Sequence, residues 1–121
     1  MICKLTETQC RTAIARGEFA DETRKAAPHT AIVLSQSWCP QCMWMRGYLD
    51  AIAAVPDVAI FWVEYDRESF FDDFREFKEN VFGNFEIPYV RYYRDGILIR
   101  ESNYVDKSGF AQRLGVHLPG K

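Results

Sequence analysis

The stretch that decides the fold runs from residue 30 to residue 42, TAIVLSQSWCPQC. Residues 30–35, TAIVLS, are a continuous β-prone apolar run rather than an alternating one. That pattern predicts a strand buried on both faces, the habit of parallel strands covered by helices. Residues 36–38 interrupt it, and then come Cys39 and Cys42 with Pro40 and Gln41 between them. Proline suits the first turn of a helix, because the N–H it lacks has no intrahelical partner there. A helical pattern continues to Ala54, and Pro56-Asp57 breaks it. Cys39 therefore stands where a buried strand gives way to a helix.

That placement has chemical consequences. The first N–H groups of a helix are unpaired and carry partial positive charge. A thiol among them ionises more readily than a free one, whose pKa is about 8.5. Cys42 is one turn deeper, more covered, yet within reach of the Cys39 sulfur. The spacing separates an exposed attacking thiol from a resolving one. A Cys-x-x-Cys pair is also half of a zinc site. Zinc needs two further ligands, and Cys3, Cys10, His29 and His117 are scattered without a second tight pair.

Composition narrows the class. The 121 residues are 48% apolar and 26% charged, an ordinary globular balance. The length suits one domain, 1–121, with a core that needs neither metal nor staple. A net charge of -2 argues against a nucleic-acid partner. No apolar run approaches the roughly 20 residues of a membrane span. The start, MICKLTETQC, lacks the basic and long apolar regions of a secretory signal. The expectation is a cytoplasmic monomer whose thiols are kept reduced.

The rest of the chain supplies the frame. A short strand is expected at 3–5 and a helix at 7–16, opened by a Thr6/Gln9 capping box and ended by Gly17. Residues 58–65, VAIFWVEY, read as a second buried strand. Phe70, Phe74, Phe77 and Val81 recur at helical spacing, so 68–81 is expected to be a helix with an aromatic core face. Asp72, Asp73, Glu76 and Glu79 form its solvated side. Residues 89–94 and 97–102 are strands joined at Asp95-Gly96, a strong hairpin signal, and 106–116 closes the chain as a helix. Cys3 and Cys10 are expected to be bystanders. The order is βα, βαβα, ββα: a mixed four- or five-stranded sheet with helices on both faces.

With these elements in place, Cys39, Cys42, the preceding Trp38 and the segment EIPYV around Pro88 resemble the thioredoxin family. Gly96, eight residues past Pro88, matches that family's hairpin glycine, and DKSGFAQRL resembles its last helix. The resemblance spans about residues 28–118. It implies the thioredoxin fold, a cis-proline at Pro88 opposite the thiols, and thiol–disulfide oxidoreductase activity in electron transport. It implies Cys39 as attacker and Cys42 as resolver, with Trp38, Pro40, Gln41, Ile87, Pro88 and Tyr89 forming the substrate groove. It implies no cofactor and no metal. The partners are a disulfide-containing substrate protein and an electron donor, either a reductase or a small thiol.

The chain also departs from that family. Val33 stands where a buried aspartate is usual, and Trp62 where its partner lysine is usual. Gly47 replaces the proline that kinks the active-site helix. The Pro-Gln dipeptide is closer to glutaredoxins and periplasmic oxidants, but the glutaredoxin glycine pair is absent. Two other readings therefore stand beside the redox one. One is a glutathione-linked or metal- or cluster-binding protein, and the other is a non-catalytic interaction domain.

Overall fold

The computed structural model describes residues 2–118. Residue 1 and residues 119–121, the two ends of the expected unit, lie outside the described residues. The elements are β1 (Ile2–Lys4), α1 (Glu7–Arg16), α2 (Asp21–Arg24), β2 (His29–Ser35), α3 (Pro40–Ala53), β3 (Val58–Glu64), α4 (Phe71–Glu76), β4 (Tyr89–Arg94), β5 (Ile97–Ser102) and α5 (Lys107–Leu114). The strands form one five-stranded sheet in the order β1-β3-β2-β4-β5. β3 runs parallel to both β1 and β2, whereas β4 is antiparallel to β2 and β5. This is the expected mixed sheet.

Local chemistry sets the boundaries. The Thr6 hydroxyl accepts from the Gln9 N–H, the Gln9 side chain accepts from the Thr6 N–H, and Gly17 ends α1 in the left-handed region. Asp95 and Gly96 both take positive φ, as the tight turn between β4 and β5 demands. A side chain at Gly96 would also collide with Lys25.

Each sheet face carries its own core. One is built from Ile32, Leu34, Phe61, Val63, Tyr89 and Tyr93 under α1 and α4. The other combines Val33, Ile60, Trp62, Val90 and Tyr92 with Cys42, Met45 and Leu49 of α3 and Phe110 of α5. Strand residues alternate between the two, which explains why β2 and β3 are apolar throughout.

The helix expected over 68–81 is different in detail. A 3-10 turn (Tyr65–Arg67) precedes α4, and α4 continues into a wide π-helical turn at Phe77–Val81. Phe70, Phe74 and Phe77 do face the core, but Val81 is 58% exposed and Lys78 is buried. The wide turn holds one extra residue, which carries Val81 off the apolar stripe.

A second buried charge lies on the same face. The Arg91 guanidinium stacks 3.7 Å from the centre of the Phe82 ring. It donates to the Tyr93 and Tyr89 hydroxyls and, at 2.7 Å, to Glu18. Burial disfavours its charge, but Tyr93, Tyr89 and Glu18 outweigh that and raise its pKa above the ordinary value.

Candidate active site

The register brings the two halves of the site together. β2 ends at Ser35 and leads through residues 36–38 to Cys39. Leu34 pairs with Tyr89, the first residue of the antiparallel β4. Cys39 and Pro88 therefore lie beyond the same end of the sheet. The Ile87–Pro88 peptide bond is cis.

Cys39 is the N-cap of α3, with Pro40 in the first turn. Its sulfur accepts the Cys42 backbone N–H at 3.1 Å. This is the side-chain-to-N3 geometry by which a cap satisfies an orphan donor, with sulfur in the place of oxygen. The expected exposure of Cys39 is corrected: the residue is only 4% exposed, and it belongs to the core cluster against which Ile87 packs. Position at a helix start left it facing outward in the sequence reading, but packing across the sheet end covers it. Cys42 is fully buried. Burial, together with the hydrogen bond to Cys39, pushes its thiol up to about 12. All four cysteines are free thiols.

The loop that presents Cys39 is tied down from the exit of β3. The Ser37 N–H and hydroxyl donate to the two Asp66 carboxylate oxygens at 2.8 and 2.6 Å. The Gln36 amide donates to the Tyr65 hydroxyl at 3.0 Å and accepts the Trp38 indole N–H at 2.6 Å. Gln36, Ser37 and Asp66 were missed in the sequence. The polar triplet Ser35-Gln36-Ser37 directly after a buried strand was the available signal. Ser35 itself faces inward and donates to the Val63 carbonyl.

The other expected site residues divide. The Trp38 ring is 66% exposed. Pro40 and Gln41 are exposed and Ile87 is half-buried, so these four line the surface around Cys39. Pro88 is covered. Tyr89 is a correction: its ring is fully buried in the opposite core, with its hydroxyl held by Glu101 and Arg91. Strand alternation turns it inward from the groove. Val33 and Trp62 are direct partners across β2 and β3, in the same cluster as the two thiols.

Cys3 is partly buried and Cys10 fully so. Burial first, and Glu68 and Glu7 after it, push the Cys10 thiol up to about 12. Among the described residues no three His, Cys, Asp or Glu side chains cluster as a metal site. No helix among them is long and apolar enough to cross a membrane.

The sheet order, the cis bond before β4 and the strand-to-helix cysteine pair define the thioredoxin fold. Solved structures agree. A mutant thioredoxin from Halobacterium salinarum superposes with a TM-score of 0.67 at 13% identity, covering 93% of this chain and 87% of that one. Trxlp from Edwardsiella tarda gives 0.62 at 19% identity, covering 94% and 98%. A buckwheat glutaredoxin–glutathione complex gives 0.55 at 22% identity, covering 91% and 90%. At these identities the likeness is one of fold. No family model and no curated protein matches the chain.

Proposed function

We propose that the protein is a thiol–disulfide oxidoreductase that reduces or exchanges disulfides in partner proteins. The observation that carries this reading is the Cys39 sulfur, which caps α3 and accepts the Cys42 N–H one helical turn from a second thiol. In the proposed reaction the Cys39 thiolate attacks one sulfur of the partner's disulfide. That S–S bond breaks, and the partner's other sulfur leaves as a thiolate and takes up a proton. Cys42 then gives up its proton and attacks the Cys39 sulfur. This expels the partner's second thiolate and leaves a Cys39–Cys42 disulfide. Two electrons pass to the partner, and a reductase or small thiol must return them.

The surface around the thiols supports a polypeptide substrate. Trp38, next to Cys39, is large, apolar and exposed, and Ile87 packs against the Cys39 cluster. With Cys39 almost covered, the disulfide that reaches it is carried on a protruding segment rather than a flat face. We place the protein in the cytoplasm, where thiols are kept reduced, and as a monomer.

The test is reduction of insulin or a small aromatic disulfide above the dithiothreitol background. Wild type is expected to turn over, and Cys39→Ser to be inactive. Activity that survives in Cys39→Ser overturns the assignment. Cys42→Ser is expected to stall at the mixed disulfide, so partners captured in cells name the substrates.

A further inference from the structure

The segment that brings Pro88 to the thiols is held by side chains that the proposed chemistry does not use. Asn103 follows the end of β5. Ser102 pairs with Val90, so Asn103 falls beside the residues just before β4. Its amide nitrogen donates to the Pro88 carbonyl at 3.0 Å and to the Glu86 carbonyl at 3.3 Å. The same nitrogen lies 2.9 Å from the Asn84 side-chain oxygen, so its two hydrogens are shared among three acceptors, and the Asn84 amide returns a bond to the Asn103 oxygen at 3.2 Å. The Asn84 oxygen also accepts the Glu86 N–H at 3.0 Å. Two asparagines thus lock to each other and grip Glu86 and Pro88, on either side of Ile87.

Ile87 itself is left free. Among the described residues no backbone or side-chain hydrogen bond engages its N–H or its carbonyl. A free N–H and carbonyl next to an exposed aromatic surface are what an incoming strand needs in order to pair. The third member lies beneath. Lys78 is buried on the π-helical turn, reaches the Asn84 carbonyl at 2.9 Å, and stands 5.8 Å from the Tyr89 ring centre. A buried ammonium is costly unless it is bonded, and its bond here goes to the backbone of the clamp. Burial lowers its pKa to about 8, with Glu79 and Glu86 opposing the shift.

We propose that Asn103, Asn84 and Lys78 are positioning residues: they hold the Glu86–Pro88 backbone so that Ile87 pairs with an extended polypeptide carrying the substrate disulfide. The proposal rests on the oxidoreductase reading, which already takes a polypeptide substrate, and adds to it the side chains that set the docking loop. The clamp touches neither sulfur, so it acts on docking and not on sulfur chemistry.

Two substrates separate these roles. Insulin must pair with the loop, whereas a small aromatic disulfide needs only Cys39. Asn103→Ala is expected to raise KM for insulin about tenfold, the worth of roughly one net hydrogen bond. Its rate with the small disulfide is expected to stay within twofold of wild type. Asn103→Asp loses the donors and sets a carboxylate against two carbonyls, so its KM is expected to rise further. Asn84→Ala loses the acceptor for the Glu86 N–H and for the Asn103 amide, and is expected to raise KM for insulin in the same sense as Asn103→Ala. Circular dichroism checks that each variant is folded. Equal losses on both substrates, or no loss on insulin, overturn the clamp while leaving the oxidoreductase reading intact. Wild type inactive on both substrates overturns that reading and the clamp with it.

Discussion

Val33 and Trp62 face each other across the parallel pair β2–β3, in the same apolar cluster as Cys39 and Cys42. The resemblance to thioredoxins puts a carboxylate and an ammonium at these two positions. Here both are apolar, and Val33 is fully buried. Neither side chain can take a proton from Cys42, whose thiol burial pushes up to about 12, with the Glu64 charge adding to the shift. Attack by Cys39 is therefore expected to outrun release by Cys42. The release step is expected to accelerate with pH, about tenfold per unit up to that value, as the thiolate fraction grows. Stopped-flow detection of the mixed disulfide between pH 7 and pH 10 checks this, and a pH-independent release contradicts it.

Val33→Asp is expected to speed release at neutral pH by supplying a proton acceptor in the layer of the thiols. A buried carboxylate also costs stability, more than the roughly 1–3 kcal/mol of a buried neutral polar group without a partner. Single-turnover release and urea unfolding are measured on the same preparation. A stable variant whose release is unchanged shows that position 33 does not communicate with Cys42.

Much of this arrangement is legible in the sequence, because its signals are local. The apolar runs 30–35 and 58–63 stay buried because two helical layers cover the sheet, and Asp95-Gly96 needs only its own backbone preference to make the hairpin. What escaped the sequence is polar and long-range. Lys78 lies four residues after Phe74, on the apolar stripe itself, and nothing local says that the Asn84 carbonyl will receive it. Arg91 sits inside YVRYYR, where an alternating reading gives it to either face. Its burial depends on Glu18, 73 residues away. Asn84 and Asn103 lie outside every element expected from the sequence, and only the folded chain shows that they bond to each other.

The Glu18–Arg91 pair gives an asymmetric prediction. The Arg91 side chain is 8% exposed and that of Glu18 is 31% exposed. Glu18→Ala leaves a buried guanidinium with only Glu101, at 3.7 Å, as a carboxylate partner. Arg91→Met keeps an apolar stem near Phe82 and leaves behind a carboxylate that water can reach. Breaking a buried pair costs about 3–5 kcal/mol when the survivor stays dry. Glu18→Ala is expected near the lower end of that range, and Arg91→Met below it. Urea midpoints of the two variants decide the order, and the reverse order shows that the stacking on Phe82 outweighs the charge.

Cys10 tests the separation of core thiols from the site. It is fully buried among Leu5, Phe70 and Phe74 in the α1–α4 core, on the sheet face opposite Cys42. Cys10→Ala is expected to cost about 1 kcal/mol, as for deletion of a single heavy atom, with turnover unchanged. Cys10→Ser buries a hydroxyl and is expected to cost more, about 1–3 kcal/mol if the hydroxyl finds no partner. Peptide mapping of the oxidised protein is expected to show only Cys39–Cys42. A bridge from Cys3 or Cys10 to either of these contradicts the bystander assignment.

Lys78 makes stability depend on pH in an unusual direction. Burial lowers its pKa from the ordinary 10.5 to about 8, against the opposing influence of Glu79 and Glu86. Below pH 8 the folded and unfolded chains both hold the proton. Between about 8 and 10.5 the unfolded chain holds it and the folded chain does not, so this residue's contribution to stability rises with pH. Crossing the whole window is worth about 3 kcal/mol. Cys42 and Cys10 act in the opposite sense, because their raised thiols keep protons that the unfolded chain loses from about pH 9 upward. The comparison must therefore be made between wild type and Lys78→Met. The difference in unfolding free energy, wild type minus variant, is expected to grow by about 1–2 kcal/mol from pH 7 to pH 9.5. Urea unfolding at both pH values measures it. A difference that stays flat shows that the Lys78 proton is retained, and that the bond to Asn84 holds the ammonium charged across this range.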